Sequence, residues 1–192
     1  LREHLLLDPD AWPLEVVRVA AMSGATGVSI EHDADDLRIA FDGKAPPAES
    51  VGRLLDFALE SSREPGVRAL RLLAIALNAA ISTKPSRITV AVKDDDAGDA
   101  RFRFDTSLHR RDPAGSEATS ELPALEREPI DREGLRGASL RVEMNKGFSW
   151  GTFVRFAGQR ALREVTLLRD ATRRSAIPLT FDPEVPGEPR EA

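Results

Sequence analysis

Cysteine is absent from the 192 residues, which rules out disulfides, thiolate metal sites and cysteine nucleophiles. The absence fits a reducing compartment and a cytoplasmic location. A basic excess is lacking as well: 27 Lys and Arg face 32 Asp and Glu, for a net charge of −5. Phosphate backbones are bound by a surplus of basic groups, so nucleic acid is not an expected partner. No apolar run approaches the roughly 18 residues of a membrane helix, and no membrane span is expected. There is no Gly-x-Ser-x-Gly elbow. His4, His32 and His109 fall in three separate loops or ends, so a Ser-His-acid triad has no support. No internal repeat occurs. The opening, Leu1-Arg2-Glu3-His4, is neither an initiator methionine nor a signal peptide, and the chain reads as a fragment of a longer protein.

What is present is ordinary globular material. Hydrophobic residues make up 41% and charged residues 31%, enough to bury a core without staples. Residues 13–23 read as a largely buried helix, with Pro13 in its first turn and Gly24 at its stop. Residues 27–33 and 36–42 read as a hairpin, the second strand alternating at Leu37, Ile39 and Phe41. A helix over 48–60 follows from the stripe Val51, Leu54, Leu55, Ala58 and Leu59. Residues 65–82 form a central helix, apolar almost all round. Residues 87–93 and 101–105 pair across the acidic turn Asp94 to Asp99. Periodicity fails from about 106 to 135, which reads as a loop insert without a core of its own. A strand at 138–144, an amphipathic helix at 153–174 and an edge strand at 177–181 complete the order, with a frayed tail from Pro183. Antiparallel strand pairs with helices between them predict a two-layer α/β sandwich, its mixed sheet carrying helices on one face. The domain proper is expected over 1–145, with 146–182 completing or extending it.

Residues 14–26, Leu-Glu-Val-Val-Arg-Val-Ala-Ala-Met-Ser-Gly-Ala-Thr, followed by Val28-Ser29-Ile30, resemble the opening of the GHKL ATPases. That superfamily includes DNA gyrase, the ninety-kilodalton heat-shock chaperones, histidine kinases and mismatch-repair ATPases. Asp36 to Gly43 is similar to the family's next strand and acidic-Gly turn, and Asn78 to Val90 to its helix-to-strand passage after the nucleotide lid. The resemblance covers about residues 12 to 93. It implies a Glu on the first helix to activate water and an Asn four residues later to hold magnesium. It also implies an Asp in an Asp-x-Gly-x-Gly turn to accept the adenine amino group, and a Gly-rich lid over the phosphates. Glu15 falls at the catalytic Glu, as a vestigial base or as a helix residue pairing with Arg18 on an exposed surface. Val19 falls at the magnesium Asn and has no oxygen to offer a metal. Phe41 falls at the adenine Asp, with Asp42-Gly43-Lys44-Ala45 over the rest of the turn. A slip of one residue gives that role to Asp42. Arg68 to Ile75 covers the lid and contains no Gly.

The turn Asp42, Gly43 and Lys44 is thus either a nucleotide contact or an ordinary Asp-Gly turn. The acidic runs Glu31 to Asp36 and Asp94 to Asp96 read as solvated hairpin tips, with no metal site. Arg155, Arg160, Arg163, Arg169, Arg173 and Arg174 make the last helix locally basic, either a solvated face or a surface for an anionic partner. The reading that follows is a degenerate GHKL-type pseudo-ATPase: an interaction or regulatory module binding a protein partner or other domains of its own chain, with no cofactor. An active ATP- and magnesium-dependent, chaperone-like ATPase is the alternative. A protein-interaction module unrelated to nucleotide is a third.

Overall fold

The computed structural model describes residues 8–33, 35–104, 125–128, 130, 135, 137–147 and 162–182. Helix α1 (Trp12–Met22) carries Pro13 in its first turn, where the missing N–H has no helical partner to lose. It ends in a Schellman turn: Gly24 takes a φ of 69°, its N–H reaches the Ala21 carbonyl, and the Ala25 N–H reaches that of Ala20. β1 (Val28–His32) and β2 (Asp36–Phe41) form the expected hairpin. Asp33 Oδ1 closes its tip by accepting the N–H groups of Asp35 (3.0 Å) and Asp36 (2.8 Å).

The single helix expected over 48–60 is instead a short α2 (Ala48–Gly52) followed by a 3-10 helix, Leu54–Leu59. Gly52 sits against the Phe102 ring, where a Cβ would come within 3.2 Å. Arg53 then leaves helical geometry at φ −114° and ψ 22°. The apolar stripe is split as a result: Val51 and Leu54 are buried, whereas Leu59 is 73% exposed. α3 (Pro65–Ser82) forms as expected and packs along α1. Its 18 residues reach a mean hydropathy of 1.2, so it is long and apolar enough to cross a membrane, contrary to the expectation that no such run exists. Half of it is buried inside the domain, which makes it a core helix.

β3 (Arg87–Val92) and β4 (Ala100–Phe104) form the second hairpin. Its turn is more than a solvated tip, because Asp94 accepts the N–H groups of Asp96 and Ala97 and, at 2.7 Å, that of Ala48 at the start of α2. The insert reading for 106–135 is corrected at its end. β5 (Leu125–Glu128) pairs antiparallel with β4, Arg103 opposite Glu126, and Leu135 is buried. Pairing with a neighbouring strand supplies order that a charged, aperiodic segment does not announce. Residues 105–124 lie outside the described residues. β6 (Leu140–Asn145) returns through the middle of the sheet. α4 (Arg163–Thr172) starts later than the helix expected at 153–174, because its N-cap Leu162 is extended at ψ 145° and ends any helix on its N-terminal side; 153–161 lies outside the described residues. β7 (Leu179–Asp182) is an edge strand, as expected, and pairs parallel to β1.

The sheet order is β5-β4-β3-β6-β2-β1-β7. Ile30, Ile39, Val142, Val90 and Phe102 align as one apolar row, and all belong to the core that α1, α2, α3 and α4 also enter. The neighbouring row, Glu31, Arg38, Glu143, Thr89 and Arg103, points to the opposite face. This is the expected mixed, largely antiparallel sheet with helices on one face. Leu73, fully buried between α3 and the sheet, tests that core. Leu73→Ala is expected to cost about 2–5 kcal/mol, read as a lower denaturant midpoint in urea unfolding.

Candidate functional site

The nucleotide positions implied by the resemblance lie on α1, at the end of β2 and along α3. Glu15, in the first turn of α1, is buried, which corrects the reading of an exposed residue. Its pairing with Arg18 is present, Nη1 to Oε1 at 2.6 Å, while its Oε2 is buried without a hydrogen-bond partner. Val19 is 1% exposed and Phe41 is 2% exposed. Both belong to the core cluster, so the two positions from which magnesium and adenine ligands would project are filled by packed hydrocarbon. The lid positions Arg68 to Ile75 lie inside the unbroken α3. Backbone amides beyond the first turn of a helix are spent on carbonyls four residues back, so they cannot turn toward phosphates.

Asp42, Gly43 and Lys44 are brought together, but to hold the fold. Asp42 Oδ1 accepts the N–H groups of Thr26 (2.7 Å) and Gly27 (3.1 Å), and its Oδ2 accepts the Thr26 hydroxyl. The hydroxyl, then the Gly27 and Thr26 amides, hold the carboxyl below the usual range. Gly43 has a φ of 104°, and a Cβ there would lie 2.7 Å from the Ser23 carbonyl oxygen. The Lys44 N–H donates to that same carbonyl at 2.9 Å. The turn therefore staples the end of α1 to the end of β2, and both carboxylate oxygens of Asp42 are occupied. Of the two open readings of this turn, the geometry is that of a structural one.

A concavity of about 360 Å³ opens at the hairpin-tip end of β1 and β2. Glu31, Asp33, Asp36, Arg87, Glu143 and Asp182 contribute charge to it. Arg38 in its wall donates to Glu31 at 2.6 Å and to Glu143 at 3.0 Å. The carboxylates of Asp33, Asp35 and Asp36 approach within 4.8 Å of one another, but the bonds of Asp33 are those of the hairpin tip, and Asp36 Oδ1 accepts the Asn145 side-chain amide. His32 is the last residue of β1, within the strand expected over 27–33 and at its end. It is 9% exposed, and its Nε2 is buried with no hydrogen-bond partner. Burial, and next the Arg169 cation, lower its pKa below 6.5. His4 and His109 lie outside the described residues.

Two arginines of the basic segment pair with acids of the domain among the described residues. Arg163 pairs with Asp8 at 2.7 Å and Asp10 at 3.0 Å, and Arg173 with Asp170 at 3.3 Å. The Arg169 guanidinium stands 4.5 Å from the centroid of the Phe181 ring. Arg174 is exposed, and Arg155 and Arg160 lie outside the described residues. Sequence reasoning missed a buried ion pair at the start of this helix: Glu164, fully buried, faces Lys146 at the end of β6. A glutamate in a first helical turn is so common at the surface that its burial has no sequence signal.

Two outcomes test these assignments. Gly43→Ala is expected to destabilise the domain by more than about 1 kcal/mol, because alanine is strained at positive φ and its methyl meets the Ser23 carbonyl. Thermal unfolding of the variant reads this directly, and an unchanged midpoint would remove the staple. For His32 the folded pKa is lowered, so the unfolded chain binds the proton more tightly. Its contribution to stability is complete above pH 6.5 and is lost as pH falls below that value. His32→Gln is expected to flatten this acid-side slope in a pH series of denaturation midpoints.

No family model matches the chain, and no curated protein matches it. Among solved structures it is similar to the N-terminal domain of a DNA repair protein, with a TM-score of 0.51 at 9% sequence identity. The match covers 94% of this chain and 51% of that one, so this chain spans about half the length of its structural neighbour. At that identity the likeness is one of fold.

Proposed function

We propose that this chain is a degenerate GHKL-type domain, a pseudo-ATPase that serves as an interaction or regulatory module and does not turn over ATP. The observation that carries the reading is the burial of Val19 and Phe41, at 1% and 2% exposure, where the family needs an Asn for magnesium and an Asp for adenine. A triphosphate in such a site is held largely through magnesium, which offsets charge the protein must otherwise neutralise. Neither hydrocarbon side chain offers an oxygen, and opening room for a nucleotide there means unpacking core. The unbroken α3 over the lid positions and the engaged carboxylate of Asp42 support the same reading.

Each lost charged contact costs about 1.5–3 kcal/mol, and each 1.4 kcal/mol is about tenfold in affinity. Two such losses move a micromolar site to the millimolar range. Titration calorimetry with ATP and magnesium is therefore expected to give a dissociation constant of millimolar or weaker, with no phosphate released. A low-micromolar constant that Glu15→Ala or Asp42→Ala weakens would replace this reading with an active, chaperone-like ATPase.

A further inference from the structure

The face of the sheet away from the helices carries a second row: Ala40, Arg141, Ala91 and Arg101, aligned across β2, β6, β3 and β4. Arg141 and Arg101 flank Ala91, two strand spacings or about 10 Å apart at their Cα atoms. Two side chains of arginine length can meet over that small residue.

Their charges are poorly matched. Arg141 is only 6% exposed. Its Nε lies 3.1 Å from Glu143 Oε1 but makes no hydrogen bond. That oxygen already accepts Arg38 Nε at 3.0 Å, and Glu143 Oε2 accepts the Thr89 hydroxyl at 3.1 Å. Arg38 also takes Glu31. Glu31 and Glu143 are thus shared between two guanidinium groups, Arg38 and Arg141. The Nε of Arg101 is buried and without a partner, and no ion pair engages Arg101 among the described residues. Burial lowers the Arg141 pKa; Glu143 opposes this, and Arg38 and Arg101 lower it further. A buried guanidinium whose Nε lacks a hydrogen-bond partner is costly unless an acceptor completes it.

We propose that Arg141 and Arg101 form a binding site for a single carboxylate, either a small free acid or an acidic side chain of a partner protein. Guanidinium groups bind planar carboxylates with paired, charge-assisted hydrogen bonds. Glu128 stands opposite Arg101 in the same row, and Glu31 and Glu143 lie in the neighbouring one; these acids repel a polyanion, which favours one carboxylate over a phosphate chain. The site is on the face opposite the nucleotide positions, so it stands whether or not the pseudo-ATPase reading does.

The test is thermal unfolding in sodium acetate, sodium phosphate and sodium chloride at matched ionic strength. Acetate is expected to raise the Tm above chloride in a saturable way, and Arg141→Met and Arg101→Met are each expected to abolish the difference. In chloride, Arg141→Met is expected to be at least as stable as the parent, since an unmatched buried cation gives way to an apolar stem. Purely structural arginines would instead lower the Tm in both variants. Arg101→Met, at a position less buried than Arg141, keeps the test decisive if Arg141→Met does not fold. Half-saturation at low millimolar acetate assigns the site to a free acid, and saturation only at far higher concentration assigns it to a side chain presented by a partner. The proposal is overturned if acetate and chloride give the same Tm, if the shift survives in both variants, or if phosphate stabilises more than acetate.

Discussion

One apolar row, Ile30, Ile39, Val142, Val90 and Phe102, runs across five strands and sets the terms for the rest of the domain. Each of these residues is at most 5% exposed, so the face that carries them has to be covered completely. α1 and α3 do most of the covering, and they do it by packing on one another as well as on the sheet. Side chains at this density leave little room for a ligand to share the same face. The space between α1, β2 and α3 is occupied by the protein's own hydrocarbon. Val19 and Phe41 are both part of that packed core, at 1% and 2% exposure.

Polar groups near that region have been turned to structural ends. Asp42 spends both oxygens on the turn after α1, and Gly43 admits the close approach that this requires. Glu15 keeps one oxygen for Arg18 and leaves the other buried and unpartnered. The same side-chain types that bind ligands in an open pocket fasten elements together in a closed one.

The opposite face follows a different physics. Its rows are charged, and antiparallel pairing places acids and arginines from distant parts of the chain beside each other. Arg38 from β2 meets Glu143 from β6, while Arg141 and Arg101 flank Ala91 of β3, each with a buried Nε that has no hydrogen-bond partner. Electrostatic mismatch of this kind arises only from strand register, because residues separated by some forty positions become neighbours.

Local pattern was sufficient for the elements whose residues answer to their immediate neighbours. Alternation at Leu37, Ile39 and Phe41 located β2, all-round apolarity located α3, and Pro13 with Gly24 bounded α1. Together these determined the fold class and which face of the sheet would be covered. The substitutions at Val19 and Phe41 were legible in the sequence too, since residue type alone removes the ligand oxygens. What only the tertiary structure decided is everything that depends on a distant partner. Phe102 and the departure of Arg53 broke the helix expected over 48–60, and β4 ordered 125–128 against the local loss of periodicity. Burial of Glu15, His32, Glu164 and Arg141 was set by layers stacking from other parts of the chain. Hydrophobic periodicity reports which side of an element seeks a core. It carries no information about which charged side chain that core, or its neighbouring strand, will enclose.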